Sequence, residues 1–435
     1  MEALSRMVTD AVACNDYDTL SAIFADEGAT ATTTAATSWH SIGPGEKRSL
    51  AAHLIQTVVN APSSFRHVAL SRPDTQHVLI QALNHVPTTV EHAADNTLRQ
   101  YLFDQLVHHD QQYAQAAHIL GGMRMEDAPD SVYYVAPADK LNVYVQMAEC
   151  CLACDGGDNN IDLTAEADAA VTKAGAVVAS VEKTPDHLAL LLRYKATCAR
   201  VLDGNRKFLT AAQRYYELST PPAYSNSNSS SSMSSSSNNN GSNDWMIDAD
   251  DLLQLLGRAA TCAILAPSGP QRQRVLGHIS QDSRLSELDH LPDFATHATL
   301  LRKMYRHEIV PATSPELVAF AATLADHQKA IRGDGMTILE RGMVEHNLIA
   351  VSKLYRSIYV TELAHHLGVS ASKAEHICAS MIMEGSLHGS IDQVEGLLEF
   401  APDEAPEQTW DRSITSFCVA LNRVTDHIKA AAANV

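Results

Sequence analysis

The sequence predicts a mainly α-helical protein, with short strands only near its C-terminal end. Ala, Leu, Gln and Glu dominate the first 340 residues, and alternating Val/Ile-rich runs are few there, which favours helices over strands. Apolar residues make up 45% of the 435 residues and charged residues 19%. This is a globular composition, long enough for two or three domains of about 150 residues each.

A degenerate helical repeat occupies the N-terminal half. Each copy has a small residue four positions after its first residue, and the copies start 50 and then 45 residues apart. They comprise Tyr113, Ala116, Ala117 and Leu120; Leu163, Glu166, Ala167 and Ala170; and Phe208, Ala211, Ala212 and Tyr215. Small residues let a neighbouring helix approach closely, so the spacing predicts a tetratricopeptide-like or HEAT-like arm over residues 1–219. Chance similarity among Ala-rich helices is the alternative.

A Ser/Asn tract separates this arm from the rest of the chain. Of the 19 residues 225–243, 17 are Ser or Asn. Such a tract has nothing to bury and cannot offset its ordering entropy, so we predict a disordered insertion over 220–244. The Ala/Thr run 29–37 is a weaker candidate for a second flexible loop.

Residues 341–400 follow the order of a winged helix, which is helix, turn, helix and hairpin. After the apolar run 358–360, a helix from Thr361 ends at Gly368, and Ser370 is a candidate N-cap of the next helix. Strand-like runs follow at 387–391 and 397–400. The predicted edge and core residues are Ile377, Met381, Leu387, Ile391, Leu397 and Leu398.

The segment 401–435 contains the strongest periodic signal. Its apolar residues recur at intervals of 4, 3, 4, 3 and 4, which is an a/d seam that packs helix against helix. They are Trp410, Ile414, Phe417, Leu421, Val424 and Ile428. We predict a subunit-assembly helix that packs either on its own domain or on helices of other chains.

No catalytic, cofactor or metal-binding pattern emerges from the sequence, so we predict a non-enzyme without cofactor. The HExxH and His-x-His patterns of zinc hydrolases are missing, and 43–49 lacks the phosphate-loop spacing. Cys151 and Cys154 have no second cysteine pair, which favours buried thiols over zinc. The pairs 108–109 and 365–366 are histidines without a third ligand at helical spacing.

Charge and targeting signals restrict the partners. The net charge is −19, and residues 345–400 hold three basic residues, Lys353, Arg356 and Lys373, against seven acids. This disfavours a winged-helix nucleic-acid-binding regulator and favours a protein-binding module. We expect neither a membrane span nor a secretory signal, and eight scattered cysteines suit a reduced compartment, the cytoplasm and nucleus.

Several segments resemble the PCI-domain family. They are KFLTAAQRYYELS from Lys207, CAILAPSGPQRQRVL from Cys262, ILERGMVEHNLIAVSKLY from Ile338, SASKAEHICASMIMEG from Ser370, GSIDQVEGLLEF from Gly389 and TWDRSITSFC from Thr409. These segments occur in the same order as in the family. They are most similar to the fourth-subunit branch found in the COP9 signalosome.

The resemblance implies a PCI domain over 245–400 in a non-catalytic scaffold subunit of the complex that deneddylates cullins. It further implies that winged helices associate edge to edge, that C-terminal helices join a bundle, and that the arm helps position a cullin–RING ligase. The PCI and MPN-domain subunits of that complex would be the partners, with no nucleic acid and no membrane. The nearest alternative is a PCI scaffold subunit of the 26S proteasome lid.

Overall fold

The computed structural model describes residues 2–24, 39, 42–85, 94–154, 160–182, 187–220, 248–331, 333, 335–400 and 406–433. The chain forms two compact units, Met1–Asp248 and Ala249–Val435. The Ala/Thr run 29–37 and residues 221–244 of the proposed insertion lie outside the described residues. The domain limits at 219, 244 and 400 stay predictions.

The first unit consists of helices, as predicted. They are α1 (Glu2–Cys14), α2 (Tyr17–Phe24), α3 (Pro44–Asn60), α4 (Ser63–Ser71), α5 (Pro73–Leu83), α6 (Ala94–Gln105), α7 (Tyr113–Gly121), α8 (Pro137–Ala153), α9 (Asn160–Val181), α10 (Leu188–Gly204) and α11 (Phe208–Ser219). A π-helical turn, Leu106–Asp110, extends α6. From α7 to α11 each helix packs on the next, and α8 also contacts α10. This order of contacts fits a helical-repeat arm.

The three repeat copies fall on α7, α9 and α11, which is every second helix. Their small residues, Ala116 and Ala117, Ala167 and Ala170, and Ala211 and Ala212, are buried. By contrast, Glu166 in the poorest copy is exposed. The sequence period therefore corresponds to one helical hairpin, with alanines where neighbouring helices approach closely.

The second unit begins with helices and ends in a winged helix followed by a long helix. Its elements are α12 (Ala249–Leu265), α13 (Pro270–Ser280), α14 (His297–Tyr305), α15 (Pro315–Thr323), α16 (Ile338–Leu354), β1 (Ser357–Tyr359), α17 (Val360–Leu367), α18 (Ala371–Met383), β2 (Gly389–Asp392), β3 (Leu397–Phe400) and α19 (Pro406–Ala433). The antiparallel sheet has the order β1-β3-β2. Ile358 faces Leu398, and Ile391 faces Leu398 from the other side.

The winged helix differs from the sequence prediction in three details. Helix α17 starts at Val360, one residue before its predicted start at Thr361. Strand β2 begins at Gly389 and not at Leu387, because the amides of Ser386 and Leu387 both donate to the carbonyl of Met381 and close α18. Ser370 occupies the N-cap position, but its side chain makes no capping hydrogen bond. By contrast, Gly368 ends α17 with a φ of 68°, as its position in the sequence indicates.

Three consecutive buried polar residues of α16 anchor it to the preceding helical part of the unit. The Asn347 side chain accepts from the Val310 amide at 2.8 Å and donates to the Val310 carbonyl at 2.7 Å. The His346 Nε2 donates to the Glu308 carbonyl at 2.9 Å. The Glu345 carboxylate accepts from the Ser268 amide at 3.4 Å and, within α16, from Arg341 Nε at 2.7 Å. Buried polar groups paired in this way fix one orientation of α16.

Two buried histidines should make this unit sensitive to acid. Burial lowers the pKa of both His297 and His346 to about 4, and for His346 the nearby Arg272, His307 and Lys353 lower the pKa further. The unfolded chain, with pKa values of about 6.5, binds more protons between these limits, so stability falls as the pH falls. Lowering the pH from about 7 to about 5 should cost about 1–2 kcal/mol of unfolding free energy per imidazole.

Urea unfolding followed by circular dichroism at several pH values measures this loss. The variant His346→Gln, whose amide can still donate to the Glu308 carbonyl, should show a smaller pH dependence, since one buried imidazole is gone. The same change at exposed His366 should leave the pH dependence unaltered. Equal slopes in all three proteins would contradict the assignment.

Candidate assembly surfaces

Helix α19 presents its apolar seam to solvent. Pro406 is its first residue, where the missing amide hydrogen costs nothing. The exposed fractions are 70% for Trp410, 43% for Ile414, 68% for Phe417, 56% for Leu421 and 57% for Val424. At 100° per residue these five side chains share an arc of about 80°. The Ile428 side chain lies outside the described residues.

The described side chains of α19, residues 410–425, are all exposed. Packing of the seam against its own domain, one of the two alternatives left by the sequence, is therefore not what the structure shows. An apolar stripe of this length is typical of a surface that another helix covers.

The winged helix offers a second candidate surface, its two strand edges. Strand β3 is central, so β1 and β2 have free outer edges within the described residues. Of the six residues expected at its edge and core, Ile377, Met381, Leu387 and Leu398 are buried, and Ile391 and Leu397 are half-buried. An unpaired edge of this kind can accept a strand from a neighbouring chain.

The acidic character of the winged helix persists in the structure with one correction. Glu345 is one of the seven acids between 345 and 400, but it is buried and paired with Arg341. The other six, Glu362, Glu375, Glu384, Asp392, Glu395 and Glu399, are exposed or half-buried. Six acids against three basic residues still disfavour contact with a phosphate backbone.

Comparisons with known proteins agree with this architecture. A family model of the PCI domain matches residues 320–402, which include the winged helix. COP9 signalosome complex subunit 4 of Arabidopsis thaliana is 36% identical over 317 residues, covering 73% of this chain and 70% of the relative. The chain belongs to the COP9 signalosome subunit 4 family.

Two further relatives with the same name support the assignment. The Drosophila melanogaster protein is 35% identical over 322 residues, covering 74% of this chain and 68% of the relative. The Emericella nidulans protein is 30% identical over 330 residues, covering 73% and 70%. Members of the subunit 4 family are named as parts of a complex, which is consistent with the prediction of a non-enzyme.

The cysteines and histidines of the described residues do not form a reactive cluster. Burial raises the pKa of Cys150, Cys151 and Cys378 to about 12, so these thiols stay protonated at neutral pH. Both histidine pairs, 108–109 and 365–366, are exposed. Within the described residues there is no group of three or more metal-ligating side chains, and no helix suited to crossing a bilayer.

Sequence reasoning missed the polar anchor of α16 and the buried Arg272. Glu345, His346 and Asn347 stand together in a segment that resembles the PCI family, but their partners are 37 to 77 residues away in the chain. The signal in the sequence was a run of three consecutive polar residues between the apolar pairs Met343-Val344 and Leu348-Ile349.

Proposed function

We propose that this chain is a non-catalytic scaffold subunit of the COP9 signalosome. The observation that carries the proposal is the exposed seam of α19, which no described residue of its own unit covers. The six seam residues from Trp410 to Ile428 would become buried among helices of other subunits. Membership of the subunit 4 family supports this choice of complex.

The exposed seam is large enough to supply substantial binding free energy. Fully burying a large apolar side chain contributes about 1.5–3 kcal/mol. Weighted by their exposed fractions, the five described seam residues could contribute roughly 4–9 kcal/mol in total. That gain must exceed the entropy lost on association, so a second contact at the winged helix would add to it.

The second contact would be made by the edges of the winged-helix sheet. We propose that β1 or β2 pairs with a strand of a neighbouring PCI subunit. Main-chain hydrogen bonds would supply affinity there, and the acidic surface would select partners with basic side chains. The two contacts together would hold the subunit in a fixed orientation.

The remaining parts of the proposal concern the substrate and its location. The complex would remove the ubiquitin-like modifier from cullins through another subunit, and the arm formed by α1–α11 would help position the cullin–RING ligase. We expect the chain in the cytoplasm and nucleus, without nucleic-acid or membrane partners. The resemblance to the family and the helical-repeat packing of the arm support this role.

Affinity purification of the endogenous protein followed by mass spectrometry tests the proposal. The expected result is a stoichiometric set of PCI and MPN-domain signalosome subunits. Recovery of proteasome-lid subunits instead would favour the 26S alternative. Salt-dependent DNA binding by the purified chain would favour the winged-helix regulator, although the charge balance disfavours it.

A further inference from the structure

A small basic pocket lies at the corner of the acidic winged helix. It has a volume of about 510 Å³, between the C-terminal end of α16, the start of β1 and the connection from α18 to β2. Lys353, Arg356 and His388 line it together with the apolar side chains of Leu387 and Phe400. Among the described residues that line this basic pocket none is acidic, so the pocket differs in charge from the rest of the winged helix.

The charges of the basic pocket are uncompensated. Two of the three Lys and Arg residues between 345 and 400, Lys353 and Arg356, line the pocket, and both are exposed. No carboxylate forms an ion pair with either side chain in the described part of the chain. The unpaired cationic groups of Lys353 and Arg356 therefore attract carboxylates.

The rim of the basic pocket is apolar. Leu354 is 70% exposed and Tyr355 42% exposed, next to the two cationic residues. Leu354 is the last residue of α16 and Tyr355 is its C-cap, just before the chain enters β1, an outer strand of the sheet. An extended segment bound here could place an apolar side chain against the rim and pocket floor, and carboxylates against Lys353 and Arg356.

We propose that the basic pocket binds an acidic linear segment of a partner protein, with one bulky apolar side chain between its carboxylates. This goes beyond the assembly role of α19 and does not depend on it, because the occupant need not be a signalosome subunit. The number of cations favours a peptide over a nucleic acid. A phosphate backbone requires several cations in a row, and the described lining of the basic pocket has one lysine and one arginine.

Binding of a synthetic peptide to the full chain tests the proposal. The probe is a fluorescein-labelled nonapeptide with one phenylalanine at its centre and Asp or Glu at the other positions, followed by fluorescence anisotropy. We expect saturable binding at low salt that weakens as salt screens the charges. The double variant Lys353→Glu with Arg356→Glu should weaken it at least ~10-fold.

A matched control separates the pocket from net charge. Lys329→Glu with Lys373→Glu changes the total charge equally at two exposed lysines of the same unit outside the basic pocket, and should change affinity less than about twofold. Equal weakening by both double variants would show that binding follows net charge alone, which overturns the proposal. Absence of saturable binding to the unmodified chain would overturn it as well.

Three further outcomes would also decide against the proposal. A peptide with serine in place of the phenylalanine should bind at least ~5-fold more weakly, and equal binding would refute the apolar anchor. Tighter binding of a single-stranded oligonucleotide of equal charge would assign the pocket to phosphates. A large gain in peptide affinity in Asp403→Asn with Glu404→Gln would make the chain's own carboxylates after Phe400 the occupant.

Discussion

Replacing Phe417 and Leu421 together by aspartate should abolish co-purification of the chain with its partner subunits. Both side chains are more than half exposed in the centre of the α19 seam, so the folded chain loses little when they change. In the assembled state, two buried and unpaired carboxylates would cost several kcal/mol, on the order of the whole gain from the seam. Immunoprecipitation of the tagged variant from cells, with the partners quantified, measures the effect.

A control with the same charge and spacing lies on the opposite face of α19. Thr415→Asp with Val419→Asp also changes two exposed residues four positions apart, but about 160° from the centre of the seam. This variant should retain its partners, and both variants should keep the circular dichroism of the unmodified chain. Equal loss of partners in the two variants would mean that α19 assembles without a defined face.

Replacing Arg272 by methionine should destabilise the second unit by about 3 kcal/mol. The Arg272 guanidinium is buried and donates to the carbonyls of Ala263 at 3.1 Å and Ile264 at 2.7 Å. These carbonyls belong to the last turn of α12, where no following amide of the helix donates a hydrogen bond to them. Methionine would fill the space but leave both acceptors without a donor.

Burial lowers the pKa of Arg272 to about 10, while the carboxylate of Glu345 opposes that shift, so the side chain is charged at neutral pH. The urea-unfolding midpoint of Arg272→Met against the unmodified chain measures the loss. Arg274→Met removes an exposed arginine from the same helix and should change the unfolding free energy by less than about 0.5 kcal/mol. If Arg272→Met lost as little unfolding free energy as Arg274→Met, the Arg272 side chain would not stabilise the end of α12.

Local periodicity explains how much of the fold could be predicted from sequence. The helical class, the alanines of the repeat, the end of α17 at Gly368 and the seam of α19 depend on spacing within a few residues, and the structure places them accordingly. The start of β2 could not be predicted, because the amide of Leu387 is used by the carbonyl of Met381 at the end of α18. Apolar character alone does not reveal that competition.

Contacts between distant residues explain what sequence reasoning missed in the candidate surfaces. Glu345 reads as one more surface acid, and only the approach of Ser268 and the buried side chain of Arg341 show that it lies inside. Likewise, the sequence shows Lys353 and Arg356 only as two of the three Lys and Arg residues between 345 and 400. Their position around one pocket depends on how α16, β1 and the segment after α18 meet in space.

The exposed seam of α19 has a consequence for the abundance of the protein. A copy synthesised in excess over its partners would keep the seam exposed. Exposed apolar surface of that kind attracts chaperones, proteases and other unassembled copies of the chain. Cellular supply of the chain would then follow the supply of its companions. Removing one companion gene should shorten the lifetime of this polypeptide even though its own two units remain folded.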